Sequence, residues 1–428
     1  MNLWIKNGHV LDPANHLDEV CDVYVKEGKV ACVGSLSSDK IPDECTVIDA
    51  EGKYVMPGLV DLHVHLREPG FEYKETIYSG THAMAKGGFT AVCPMPNTKP
   101  VTDSPAMIEK ILRIAKTDSP IRVYPVGAVT KGQLGEEMTD IAGMVKAGAK
   151  AISEDGKSVM NAEIYREAMK EAKKAGIPVL AHCEDKNMVG HGAMNAGKKA
   201  KELGICGITN AVEDVIVARD ILLAKEIGVH LHLCHCSTKD SVKMVRIAKK
   251  DGVSVSAEVC PHHFAMTEDE IAGDDANYKM NPPLRSAADV EALVDGLADG
   301  TMEAISTDHA PHGEEEKKQS IAKAPFGIVG SETAYALSVT HLVKTGKLTP
   351  LQLVEKMSTN PCRILSVPGG TLSVGAPADI TIADMDSEYV IDKNTFLSKG
   401  KNTPFDGAKV NGRVYYTIVG GNIVYQYE

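Results

Sequence analysis

The sequence predicts an α/β fold: a (β/α)8 barrel of the TIM type, with a small β domain that both ends of the chain build together. Three observations point to it. Eight short apolar runs, near residues 55–65, 89–97, 121–128, 149–155, 177–184, 229–236, 253–262 and 302–309, alternate with helix-forming stretches. The two ends read instead as short strands joined by turns. The C-terminal ends of the runs, where a barrel keeps its chemistry, carry His and Asp.

At the N-terminal end, Val23-Tyr24-Val25 and Val30-Ala31-Cys32-Val33 flank Glu27-Gly28, a hairpin signature. Near the C-terminus, Ala378 to Ile382 alternates, Arg413 to Val419 is β-branched and aromatic, and Gly420-Gly421-Asn422 reads as a turn before Ile423-Val424-Tyr425. The expected division is residues 1–53 and 370–428 as one composite β domain and 54–369 as the barrel. Within the barrel, Asn161 is an N-cap for a helix whose face carries Ile164, Ala168, Ala172 and Ala175, closed by Gly176 and Pro178. A second helix, Glu213 to Ile227 closed by Gly228, delivers the run Val229 to Cys236.

Composition narrows the function. With 43% hydrophobic and 24% charged residues, 428 residues can bury a large core. A net charge of −12 argues against a nucleic-acid or anionic-membrane surface, so an anionic ligand must be met by local cations. Met1 to Lys6 does not open a secretory leader and no apolar run approaches ~18 residues, so the expected location is cytoplasmic. The ten cysteines are scattered, apart from Cys234-His235-Cys236, and read as reduced, buried small hydrophobes.

The chemistry centres on Met56-Pro57-Gly58-Leu59-Val60-Asp61-Leu62-His63-Val64-His65-Leu66-Arg67. Strand alternation puts His63 and His65 on one side, where two imidazoles can chelate a divalent metal. Among 15 histidines a lone His-x-His is a weak signal, but other runs end in Asp155, His182, His235 and Asp308. By the same alternation, His235 shares a face with Val229, Leu231 and Leu233, which would fill the barrel, while His230 and His232 would face the helix layer.

These strand ends resemble the amidohydrolase superfamily of metal-dependent hydrolases, and within it the dihydroorotases of the long bacterial type. The resemblance rests on His63-Val64-His65-Leu66-Arg67-Glu68-Pro69-Gly70, Met95-Pro96-Asn97-Thr98, Glu154-Asp155-Gly156, Ala181-His182-Cys183-Glu184, Cys234-His235-Cys236-Ser237, Pro261-His262-His263, Asn281-Pro282-Pro283-Leu284-Arg285 and Ser306 to His312. It implies two zinc ions per subunit: His63, His65 and Asp308 on the first, His182 and His235 on the second, Asp155 bridging. Two cations lower the pKa of a shared water and polarise an amide carbonyl, and Asp308 would carry the proton as catalytic residue.

The implied reaction is the reversible cyclisation of N-carbamoyl-L-aspartate to (S)-dihydroorotate in de novo pyrimidine biosynthesis. Arg67 would clamp the substrate carboxylate. The family comparison adds His65, Asn97, Asn281, His312, Phe326 and Gly327 as substrate contacts, although Asn97 and Asn281 also read as turn residues. A homodimer, and association with aspartate transcarbamoylase, are implied at family level only. Many relatives bridge their metals with a carboxylated lysine, which Lys150 or Lys157 could supply here. The Glu-Asp-Gly sequence favours Asp155, and Glu154 has the opposite parity. His262 and His263 read as supporting groups. Residues 313–325 read as either a solvated charged loop or a lid. The alternative activity is that of a related ring hydrolase acting on hydantoin, dihydropyrimidine or allantoin.

Overall fold

The computed structural model describes residues 2–35 and 45–428, so residues 1 and 36–44 of the expected β domain lie outside the described residues. The chain folds as α/β with parallel sheets. Each of the eight apolar runs contains a strand: Leu59–Val64, Phe89–Pro94, Arg122–Val123 with Val126–Ala128, Ala151–Ser153, Val179–Ala181, Leu231–Leu233, Val255–Val259 and Ala304–Ile305. The first three pieces form one parallel sheet and those from Val126–Ala128 onward form a second, each in chain order. Backbone bonds from Tyr124 N to Val92 O (2.9 Å) and from Lys150 N to Pro125 O (3.0 Å) run across the break between them. At the other end a parallel bridge pairs Val64 with His309, and His65 N donates to His309 O at 2.8 Å.

Both chain ends contribute to an eight-stranded sheet. Leu17–Lys26 and Lys29–Gly34 make the expected hairpin, and Lys409–Val419 and Asn422–Gln426 make another around Gly420-Gly421. The run expected at 55–65 is two strands. Tyr54–Pro57 pairs with Leu3–Asp12 and Ile380–Val390, while Leu59–Val64 opens the parallel layer. Gly58 separates them because a Cβ there would lie 2.2 Å from the Thr90 side chain.

The helix at Ala162–Ala175 forms for the expected reasons. Asn161 Oδ1 accepts from Glu163 N (3.0 Å) and Ile164 N (3.3 Å), and Gly176 closes it at φ 71°. Its buried face is Tyr165, Ala168, Met169 and Ala172, so the stripe centres on Tyr165 and Met169 rather than on Ile164 and Ala175.

One expectation is reversed. Leu231, Leu233 and Val229 pack with Ile216, Val217 and Val245 of the covering helices. The opposite face, with Val60, Leu62, Ala91, Leu180, Cys234 and Ala304, forms a cluster of strand residues backed by Cys362 to Val367. His232 lies on that inner side, bonded to Ser256 Oγ (2.8 Å) and Glu258 (2.9 Å), and His230 also meets Ser256 (3.0 Å). Among the described residues no helix is long and apolar enough to cross a membrane.

Candidate metal centre

His63 and His65 project from the end of the first parallel strand because the ladder slips there. The register shifts between Asp61 and Val64, so Leu62 and His63 both face inward although they are neighbours. Asp61 fastens this irregularity: its buried carboxylate accepts from His63 N (3.0 Å) and Thr307 N (3.2 Å), joining the first strand to the segment that carries Asp308. Burial pushes the Asp61 carboxyl up to about 7.

Asp155 stands between the four imidazoles. Its Oδ1 lies 3.1 Å from His63 Nε2, 3.5 Å from His182 Nδ1 and 3.9 Å from His235 Nε2, and its Oδ2 lies 3.6 Å from His65 Nε2. Asp308 Oδ1 is 3.1 Å from His65 Nε2 and 3.5 Å from His63 Nε2. His182 Nδ1 and His235 Nε2 are 2.8 Å apart. All six side chains are nearly or fully buried.

The donor chemistry fits cations. His63 donates its Nδ1 proton to Glu258 (3.1 Å), and His65 donates its own to Asn97 Oδ1 (3.0 Å), which leaves both Nε2 lone pairs aimed at carboxylates. Lone pairs facing carboxylates repel unless a proton or a metal lies among them. Among the described residues, His63 Nε2 and His182 Nε2 are buried without a hydrogen-bond partner of good geometry. Although burial opposes charge, Asp155 and Asp308 raise the His63 pKa well above the usual histidine range. Burial would likewise raise Asp155, yet His63 and hydrogen bonds from the imidazoles hold it well below the carboxylate range. His63, His65 and Asp308, and likewise His63, Asp155 and His235, bring ligand atoms within 4.8 Å of one another.

A cavity of about 150 Å³ opens over this cluster, lined by His65, Arg67, Asn97, Asp155, His182 and His235, and also by Asn281, Asp308, Phe326 and Gly327. His63 lies beneath and His312 behind the Arg67 wall. Arg67 Nε donates to Pro311 O (3.1 Å), and Nη2 is 3.3 Å from His312 Nε2. Burial, then Arg67, Lys74 and Lys317, push His312 down to about 2, so its ring is neutral. Nε2 then donates to Phe326 O (2.7 Å) and Nδ1 accepts from Lys74 Nζ (3.1 Å). Asn97 Nδ2 donates to Asp155 (3.1 Å) and Asn281 Nδ2 to Glu184, so neither serves a turn alone.

The alternative groups lie elsewhere. Lys157 Nζ donates to Gln133 O (3.0 Å), and Glu154 accepts from the Val129 and Thr130 amides. His262 and His263 are buried beside Cys260, and His263 Nε2 donates to Pro282 O (2.9 Å). Residues 313–325 are neither a freely solvated loop nor detached: Lys317, Ile321 and Ala324 are buried, and Glu316 pairs with Lys74 at 2.9 Å. The sequence reading missed Asp61, Glu258, His232 and Lys74. The available signal was a lone carboxylate within a short, mostly apolar strand, true of both Asp61 and Glu258.

A family model described as dihydro-orotase-like matches residues 52–241. A dihydroorotase from Pelotomaculum thermopropionicum is 51% identical over 426 residues, covering 100% of this chain and 99% of that one. One from Staphylococcus aureus strain Mu50 is 50% identical, covering 99% of both chains, and one from Acetivibrio thermocellus is 47% identical, covering 98% of both. Among solved structures, an L-hydantoinase (dihydropyrimidinase) from Arthrobacter aurescens superposes with TM-score 0.87 at 29% identity, covering 99% of this chain and 96% of that one. A dihydropyrimidinase from Brevibacillus agri, at TM-score 0.86 and 23% identity, covers 100% of this chain and 95% of that one and shares the fold.

Proposed function

This chain belongs to the dihydroorotase family, and from that premise we propose that it is a dihydroorotase of the long bacterial type, interconverting N-carbamoyl-L-aspartate and (S)-dihydroorotate in pyrimidine biosynthesis. His63, His65 and Asp308 would hold one zinc ion, His182 and His235 a second, and Asp155 both. When bound, the cations supply Lewis acidity that polarises the amide carbonyl and acidifies water.

The chain's own residues do the rest. Asp308 takes the proton of the attacking water and returns it to the departing ring nitrogen, so one carboxylate is base and then acid. Arg67, whose Nε is spent on Pro311 O, keeps its remaining guanidinium donors for the substrate carboxylate. His65, Asn97, Asn281, His312, Phe326 and Gly327 surround the ring. Glu258 and Asn97 fix the tautomers of His63 and His65.

The observation that carries the reading is Arg67 on the wall of the same cavity as Asp155 and Asp308. An uncharged hydantoin, dihydropyrimidine or allantoin would leave that cation unpaired. Ultraviolet assays of ring opening on dihydroorotate, dihydrouracil and allantoin test it. Dihydroorotate is the preferred substrate, and Arg67→Ala lowers its kcat/KM by about 10²–10³, the scale of a charge-assisted clamp, while the weak rates on the uncharged rings hold. A preference for dihydroorotate that survives Arg67→Ala would remove the clamp.

The same reading takes the eight parallel strands as a closed (β/α)8 barrel spanning 54–369, with 1–53 and 370–428 as the composite β domain. It includes a cytoplasmic enzyme, a homodimer and contact with aspartate transcarbamoylase. Sedimentation of the purified chain, alone and with that partner, tests the assembly.

A further inference from the structure

Behind His312 lies a second cavity, of about 380 Å³, which the catalytic reading leaves unused. Lys317, Lys318, Lys393, Lys399 and Lys401 line it with one carboxylate, Glu314, and Asn402 and His312 form its inner wall. Five lysines against one carboxylate around a single hollow stand out in a chain of net charge −12.

Their partners sort them. Lys318 pairs with Glu314 (2.9 Å) and Glu315 (2.8 Å), and Lys393 with Asp406 (3.2 Å). Among the described residues, Lys317, Lys399 and Lys401 pair with no carboxylate; their hydrogen bonds go to carbonyl oxygens, and Lys401 also stands 6.0 Å over the Phe396 ring. Lys399 donates to Glu72 O (2.7 Å), Lys401 to Phe396 O (2.6 Å) and Ser398 O (2.9 Å), and Lys317 to Gly327 O (2.9 Å), Pro325 O (3.1 Å) and Lys279 O (3.3 Å). Carbonyls hold these ammoniums in place without cancelling their charge. With three N–H donors each, Lys399 keeps two free and Lys401 one, while Lys317 contributes charge alone. Lys317 is only 8% exposed, and burial with Lys279 nearby pushes it down to about 7, so an anion in the cavity would favour its charged form.

The lining also selects the ligand. It holds no aromatic carbon ring and no arginine, so nothing stacks on a base and nothing forks onto a planar carboxylate. Lysine is a point charge suited to a compact tetrahedral anion, and a phosphate carries about −1.5 to −2 charge with three acceptor oxygens at neutral pH. We propose that this cavity is a phosphate-binding site, for inorganic phosphate or the phosphate group of a small monoester, separated from the catalytic pocket by the wall of His312 and Asn402.

Calorimetric titration of the metal-loaded enzyme with inorganic phosphate in one arm and sn-glycerol 3-phosphate in the other tests this, and the tighter arm identifies the source. Binding at about 1 mM or better is expected in at least one arm, weakening about tenfold or more in Lys399→Ala/Lys401→Ala. Ring opening by that variant in phosphate-free buffer should stay unchanged. Since Lys401 braces its own loop, Lys393→Glu gives a second reading that spares those bonds and should weaken phosphate about threefold or more. Absence of binding in both arms, or affinity unmoved by either variant, overturns the site. So does competition with dihydroorotate at an inhibition constant that neither variant alters, because the anion would then sit on Arg67 and the metals.

Discussion

Arg67, His235 and Asp308 all sit at positive φ, 62°, 36° and 47°. Each such residue costs about 1–3 kcal/mol, a strain that persists only where the surroundings over-determine it. Here the neighbours do so: the strand end at His65, the Asp61 carboxylate under Thr307, and Glu258, which accepts from His235 N at 3.1 Å. Glu258 therefore orients two of the proposed metal ligands, and three buried donors, His63, His232 and Ser306, hold it in turn. Glu258→Gln should lower metal affinity by about 10–100-fold, read by competition with a chromophoric chelator, while far-ultraviolet circular dichroism stays unchanged. Retained affinity would mean that Glu258 only fills space. Its lone charge in a strand was legible in the sequence, but its partners lie on other strands.

At the scale of elements, the segment 396–402 ties the terminal sheet's surroundings to the pocket. Glu75, at the start of the helix Ile77–Lys86, accepts from Ser398 Oγ (2.5 Å), Lys399 N (3.3 Å) and His309 Nε2 (3.3 Å), while Asn402 holds His312 N at 3.1 Å. Burial would raise the Glu75 carboxyl, but His309, Ser398 and Ser79 together lower it. A carboxyl depressed in the folded state stabilises above its unfolded pKa and loses that stability as pH falls through the folded value. Glu75→Gln should therefore lower Tm at pH 7, with a difference from the parent that narrows below the ordinary glutamate range. A constant difference across that range would remove the charge from the account. The sixth parallel strand offers a test of facing. Leu231→Ala should cost about 2–5 kcal/mol of unfolding free energy in urea by opening a hole under the helices, with metal content unchanged. His232→Ala should instead weaken metal retention through Glu258. An exchange of those two outcomes would restore the facing expected from simple alternation.

Across the whole molecule, the cluster of imidazoles and carboxylates is a set of lone pairs closed in by the fold, so the proposed metal centre would link stability to metal occupancy. Removing metal with a chelator should abolish ring opening and lower Tm by a few degrees, because ligand binding to the folded state adds RT ln(1 + [L]/Kd). Added zinc should restore both, and an unchanged Tm would separate the cations from the fold. The sequence by itself determined the elements and the chemical inventory, since capping residues, turn glycines and apolar periods act over a few neighbouring residues. It thereby exposed the strand positions, the helix of Asn161, the two terminal hairpins, and the histidines and aspartates at strand ends. Only the tertiary structure decided which way the strands face and who meets whom. Period-two alternation holds within a regular ladder, and it breaks at the slip between Asp61 and Val64 and at the left-handed turns of His235 and Asp308. The Glu258 network and the lysine cavity join residues up to hundreds of positions apart, and no local period encodes such a meeting.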